Sequence, residues 1–279
     1  GCGHNLLGVT TLAATVALQK WMQQNNVKAT IRYYGCPAEE IGGGKVFFAR
    51  DGYFDDLDAA LSYHPGFYNM ASYMSTVAVV SSEFKFKGIA SHAGSLPHLG
   101  RSALDAVELM NVGANYMREH VLDGTRIQYV ITNGGQAANI VPETAAVHYI
   151  IRAEQADYAQ AVMERLRNIA RGAALMTDTT FEEKFESGFA SMYANRYLAD
   201  LMFTIMEQMD PIEFTAEEYA FAQKINDAFG KPNKQYVEDK IENVKMTKKD
   251  AALLRQEADK PLLSRNYPPM DGNIIYKGA

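Results

Sequence analysis

Cysteine is nearly absent. Two residues, Cys2 and Cys36, among 279 cannot build a disulfide framework, and beside 13 methionines they read as a chain from a reducing compartment. A cysteine here is then a ligand, a nucleophile or a small core residue. Long apolar runs are missing too. None approaches the roughly 20 residues a membrane helix needs, so no membrane partner is expected. Positive charge is in deficit: Lys and Arg total 27 against 33 Asp and Glu. The resulting net charge of -6 speaks against a nucleic-acid partner, which wants a basic face. The first residues show neither a basic stretch nor a small-residue cleavage site, which reads against a signal peptide and for the cytoplasm. Gly1 stands where a start methionine would, which reads as a fragment or a processed product. What remains is ordinary globular composition, 47% hydrophobic and 22% charged, at a length suggesting one or two domains.

The spacing of Leu6, Val9, Leu12, Ala13 and Val16 predicts a helix over Leu6–Gln23, ended by Asn25 and Asn26. ATIRYYG (Ala29–Gly35) reads as a strand, Lys45–Tyr53 as a helix after the glycines 42–44, and DAALSY (Asp58–Tyr63) as another strand. Helix, strand, helix, strand is the pattern of a parallel sheet with helices on its faces. From Thr76 the texture changes. STVAVVSSEFKFKG alternates with period two, the mark of a strand with one wet face. Then follow a helix (Ser102–Glu119), a strand (Thr125–Thr132), the Asn133-Gly134-Gly135 turn, a strand (Ala145–Ala153), a helix (Ala156–Ala174) and a strand (Thr179–Phe185). Two helices on an antiparallel sheet is a ferredoxin-like plan. The expected organisation is α/β: a catalytic domain in two pieces, 1–75 and 189–279, with a lid and dimerisation domain, 76–188, inserted between them. Helices resume from Ser191, and the tail from Lys231 is polar and punctuated by prolines.

Two groups of chemically competent residues follow predicted strands: Cys36-Pro37-Ala38-Glu39-Glu40 and Tyr63-His64-Pro65-Gly66. Ligands of an open parallel sheet bind outside the carboxyl ends of its strands. Glu39, Glu40 and His64 therefore fall on one edge, and Cys2 and His4 join them if a strand precedes Gly1. Thiolate, imidazole and carboxylate together suit zinc or a related divalent ion. Each part alone has a plainer reading. A Glu-Glu pair before glycines is often a solvated helix start, and a His after a strand is as often structural. The coincidence of four on one edge favours a metal.

CGHN, PAEEIGGGK, YHPG and GGQAANIVPETAAVHYIIR together resemble the aminoacylase/carboxypeptidase family of co-catalytic metallopeptidases. The branch they resemble is that of the amidohydrolases acting on hippurate, indoleacetyl-amino acids and aminobenzoyl-glutamate. The resemblance covers essentially the whole chain. It implies a hydrolase of N-acyl amino acids, an acidic product such as glutamate being favoured, with two divalent ions (Zn2+ or Mn2+) per site. It makes Cys2, His4, Glu40 and His64 metal ligands and Glu39 the general base. His92, in Ser91-His92-Ala93-Gly94, is implied to reach the active site of a partner subunit and stabilise the oxyanion. Asn139 and Arg152 match positions implied to hold the substrate's carboxylate, for which a guanidinium fork is well shaped. A homodimer through the lid is implied, with a second related subunit as an alternative. Without the motif, Arg152 would be an ordinary strand residue and His92 a turn residue. His98 is a weaker candidate, His120 and His148 read as structural, and Cys36 reads as a buried small hydrophobe or a neighbour of the ligands.

The family also ends with a metal-binding histidine, and no histidine follows His148 here. The chain thus resembles a middle portion: part of the catalytic domain, the complete lid, and a return. Two rival readings remain: an inactive fragment that dimerises through its lid, and a metal-free pseudoenzyme that binds carboxylated ligands.

Overall fold

A computed structural model describes residues 3–65, 69–71, 75–210, 212–228, 233–243, 247–260, 263, 266–267 and 275–276. Elements are numbered in chain order. The chain divides into two units. One comprises residues 1–39, 44–74 and 194–274; the other comprises 75–193 with the short segments 40–43 and 275–279.

The second unit is organised by AVVSSEFKFK, which forms β3 (Ala78–Lys87). It lies inside a sheet ordered β4-β5-β3-β6, with β4 (Arg126–Asn133), β5 (Thr144–Ala153) and β6 (Thr180–Phe189), every pairing antiparallel. Two helices, α4 (Ala103–Met117) and α5 (Ala156–Thr177), cross over between these strands. This is the ferredoxin-like α+β arrangement expected, and the fold class is α/β. The Ser102 hydroxyl caps α4 by accepting from the Asp105 amide at 3.1 Å. Phe84, Phe86, Val147, Tyr149 and Ile151 of the sheet pack with Val107 and Met110 of α4 and Val162, Met163 and Leu166 of α5. Each such side chain contributes about 1.5–3 kcal/mol on burial. Gly113 lies mid-helix because a β-carbon there would sit 2.6 Å from Ile169 Cγ2. Close approach of α4 to α5 offsets the helix propensity lost, about 1 kcal/mol.

Polar groups in this core are matched. The Tyr149 hydroxyl donates to Asn111 Oδ1 at 2.6 Å, both residues being buried. Burial pushes that hydroxyl above the usual phenol range. Arg167 reaches Glu183 with two nitrogens, at 2.6 and 2.9 Å, and the Ser82 hydroxyl adds a third bond to the same carboxylate. Arg167 holds the Glu183 carboxyl below its ordinary range. The two sheet edges differ. β6 carries Glu182, Glu183, Lys184 and Glu186, whereas β4 has no charge from Ile127 to Asn133 and exposes Val130 and Ile131.

β3 departs from the alternation expected of it: its first five residues are buried on both faces, and only Glu83–Lys87 alternate. A strand with neighbours on both sides and cover on both faces has no wet side to mark. Two short parallel pairs are the remaining strands among the described residues. β2 (Ser75–Thr76) pairs with β8 (Ile275–Tyr276) in this unit, and β1 (Asn69–Met70) pairs with β7 (Asn266–Tyr267) in the first.

Among the described residues the first unit also holds the helices α1 (His4–Gln24), α3 (Gly44–Arg50), α6 (Arg196–Gln208), α7 (Ala216–Ala228), α8 (Asn233–Asn243) and α9 (Lys248–Ala258); the single turn α2 (Glu39–Gly42) precedes α3 and, Glu39 apart, is counted with the second unit. The strands expected over Ala29–Gly35 and Asp58–Tyr63 are not formed. Both segments are almost wholly exposed, and among the described residues neither meets a ladder partner. Apolar content disposes a segment to pair, but a strand exists only where a neighbour takes its backbone donors and acceptors. The helix expected to reach Tyr53 stops at Arg50, where Gly52 turns the chain with φ 76°.

Candidate functional site

Gly3 brings the first ingredients together. It precedes α1 with φ 76°, a conformation glycine adopts without cost, and a β-carbon there would lie 2.7 Å from the Pro65 ring. The start of α1 therefore closes onto the segment after His64, and the His4 and His64 rings meet edge to face, centroids 6.0 Å apart. His64 Nδ1 lies 2.7 Å from the Pro65 carbonyl. A carbonyl only accepts, so Nδ1 donates and Nε2 is the ring's acceptor nitrogen, the arrangement by which ligating histidines are usually oriented.

Glu39 and Glu40 arrive on α2, after a turn in which Ala38 takes φ 55° and Gly44 passes the Pro37 carbonyl so closely that a β-carbon could not fit. A left-handed alanine costs about 1–2 kcal/mol, which the surrounding turn sustains. His4 Nε2 sits 3.0 Å from Glu39 Oε2. His4, Glu39 and Glu40 each offer a ligand atom, all within 4.8 Å of one another. One imidazole nitrogen and two carboxylates form a donor set that fits a divalent ion of the zinc or manganese type. All three residues are exposed, as is His64. Cys2 and Gly66 lie outside the described residues. Cys36 is half-buried rather than buried, its thiol donating to the Tyr34 carbonyl two residues back.

The lid residues form a second group. His92 lies on a tight turn bridged to Ile140: Ala93 donates to the Asn139 carbonyl and Val141 to the Ser91 carbonyl, each at 2.9 Å. The loops carrying His92 and Asn139 are thus hydrogen-bonded as one piece, with both side chains exposed. Arg152 stands half-buried on β5, its Nε donating to Gln128 Oε1 of β4 at 3.2 Å. His148 has a partner of its own, Ser81 Oγ at 2.7 Å. His120 is exposed at the end of the turn after α4. Sequence reasoning missed the Gly3–Pro65 contact and the turn amides around His92. The glycine two places after His92 was the available signal for the second.

Residues 75–177 match the peptidase dimerisation domain family, M20_dimer. Over that stretch the chain is similar to an M20 peptidase dimerisation domain. It is also 46% identical, over 81% of its length, to a p-aminobenzoyl-glutamate hydrolase subunit of Escherichia coli, and covers 47% of that protein. It is 32% identical to the Xaa-Arg dipeptidase of Mus musculus over 67% of its length and 43% of the relative's. A solved structure, an aminobenzoyl-glutamate utilization protein from Klebsiella pneumoniae, matches 58% of this chain and 42% of its own with TM-score 0.47 and 20% identity. The chain thus spans about half the length of the curated relatives it matches. The dimerisation domain contains β3, α4, β4, β5 and α5, so His92, Asn139 and Arg152 all lie within it. No helix among the described residues is long and apolar enough to cross a membrane.

Proposed function

We propose that this chain is the metal-binding and lid portion of a divalent-metal amidohydrolase that cleaves N-acyl amino acids, with a dicarboxylic amino acid such as glutamate as the released amine. The convergence of His4, Glu39 and Glu40 within 4.8 Å carries the reading. The similarity to a hydrolase of p-aminobenzoyl-glutamate supports the substrate class. His4, Glu40 and His64 would hold the metal together with Cys2. When bound, it supplies Lewis-acid polarisation of the scissile carbonyl and acidifies the attacking water. Glu39 takes a proton from that water and returns it to the leaving amine nitrogen. His92 donates to the oxyanion of the tetrahedral intermediate in the active site of a partner subunit. Arg152 and Asn139 hold the amino acid's carboxylate. The uncharged edge of β4 suits pairing with a second lid, in a homodimer or with a related subunit.

The test sets metal binding beside hydrolysis. Wild type and Glu39→Gln are titrated with Zn2+ and Mn2+, then assayed on p-aminobenzoyl-glutamate, both as the 279-residue chain and extended to the length of its relatives. Glu39→Gln should keep its metal and lose about 10²–10⁴-fold in rate. Parallel loss of metal and rate would make Glu39 a ligand, and metal binding without hydrolysis by wild type in either form would overturn the enzymatic reading.

A further inference from the structure

The turn that carries His92 does more than expose it. The Gly94 and Ser95 amides both lie 3.1 Å from His92 Nδ1. A backbone N–H can only donate, so Nδ1 must present its lone pair to both, and the neutral ring then carries its proton on Nε2. The rest of the turn holds this arrangement in place. Leu96 donates to the His92 carbonyl at 3.0 Å, the Ser91 hydroxyl donates to the Leu96 carbonyl at 2.5 Å, and the bridge to Asn139 and Val141 pins the strand side. Gly94 contributes by what it lacks: a β-carbon there would stand 3.3 Å from His92 Cε1 and 3.6 Å from Nδ1, pressing on the ring.

We propose that the amides of Gly94 and Ser95 are positioning groups that lock His92 as its Nε2–H tautomer, so that the lid presents a hydrogen-bond donor and never a base, and that residue 94 is glycine to leave room for the ring. The purpose of this lock rests on the oxyanion role given to His92 above; its geometry does not. A donor aimed at developing negative charge acts best when it needs no reorganisation at the moment of reaction. The same imidazole as the Nδ1–H tautomer would aim a lone pair at the oxyanion and repel it.

The measurement is long-range 1H–15N spectroscopy of the whole chain labelled with 15N-histidine, above the pH at which the imidazoles titrate. The His92 signals are assigned by their loss in His92→Asn. Wild type should show a single tautomer, with Nδ1 unprotonated and Nε2 protonated. Ser95→Pro, which deletes one donor, should move the tautomer ratio toward Nδ1–H by about five-fold, the effect of one ordinary hydrogen bond. Ser95→Ala keeps the amide and should leave the spectrum unchanged. Gly94→Ala should displace both ring resonances. A protonated Nδ1 in wild type overturns the proposal without any variant having to fold. An unmoved ratio in folded Ser95→Pro overturns it as well. His92→Asn separates the two claims, since its side-chain oxygen can accept from the same amides. If His92→Asn hydrolyses the amide as fast as wild type while wild type shows the expected tautomer, the oxyanion reading fails and the lock stands.

Discussion

Replacing Tyr149 with Phe removes one oxygen from the centre of the dimerisation domain. The ring itself stays packed between Phe84, edge to face at 6.1 Å, and Tyr129 at 5.2 Å, so little apolar contact is lost. What is lost is the 2.6 Å donation to Asn111 Oδ1, and Asn111 is itself only 6% exposed. A buried acceptor deprived of its donor costs about 1–3 kcal/mol, more than the hydrogen bond nets, because no water replaces the partner. A mid-range loss of about 2 kcal/mol is roughly 30-fold in protection against hydrogen exchange, to be read on peptides covering β5. Replacing both partners, Tyr149→Phe with Asn111→Leu, should recover much of that loss, because no orphaned group remains. The phenol also predicts a pH signature. Its folded pKa lies above the unfolded value of about 10, so its contribution is complete below that pH and fades as pH rises through the folded pKa. Tyr149→Phe should flatten the alkaline fall in stability. Protection unchanged within about 0.5 kcal/mol, with no coupling to Asn111, would refute the reasoning.

Gly3→Ala should weaken Zn2+ or Mn2+ binding about 10-fold by pushing α1 off Pro65, measured by calorimetric titration; unchanged affinity would mean His4 and His64 do not share a site. Arg167→Ala should cost about 1–3 kcal/mol in urea denaturation. Because Glu183 is held below its ordinary range, its contribution is present above pH about 4.5 and lost as pH falls through the folded value, so the variant should lose stability less steeply in acid. Arg152→Lys and Asn139→Ala should raise KM for glutamate-bearing amides more than for amides lacking that carboxylate, in steady-state assays of the relative-length protein; equal rises would assign both residues to folding.

The ferredoxin-like unit was legible because its signals are local. Period-two alternation and the Asn133-Gly134-Gly135 turn between β4 and β5 both lie within short windows. The first unit was less so. Ile31, Tyr33 and Leu61 carry strand propensity, yet pairing is a relation between segments, and no window contains the partner. The capped start of α9, where Thr247 Oγ accepts from the Asp250 amide at 3.1 Å, lies in a tail that composition alone marked only as polar. At the candidate metal site, the motif residues were legible as types and spacings. The pairing of His4 with Glu39 was not, because the two lie 35 residues apart and no short window contains both.

The bare edge of β4 sets a trade between colloidal behaviour and assembly. Ile-Gln-Tyr-Val-Ile-Thr is an uncharged, β-prone hexapeptide of the kind that templates fibrils when unpaired. A lysine at Val130 would be the usual gatekeeper, and it would keep a solitary lid from ribboning into larger stacks. In a symmetric antiparallel pairing centred on residue 130 the same lysine would also face its own copy, a like-charge pair that weakens the pairing. Solubility and pairing therefore draw on the same six residues in opposite directions. A drift toward one at this edge is a drift away from the other, whereas β6, already studded with carboxylates, can vary without that penalty.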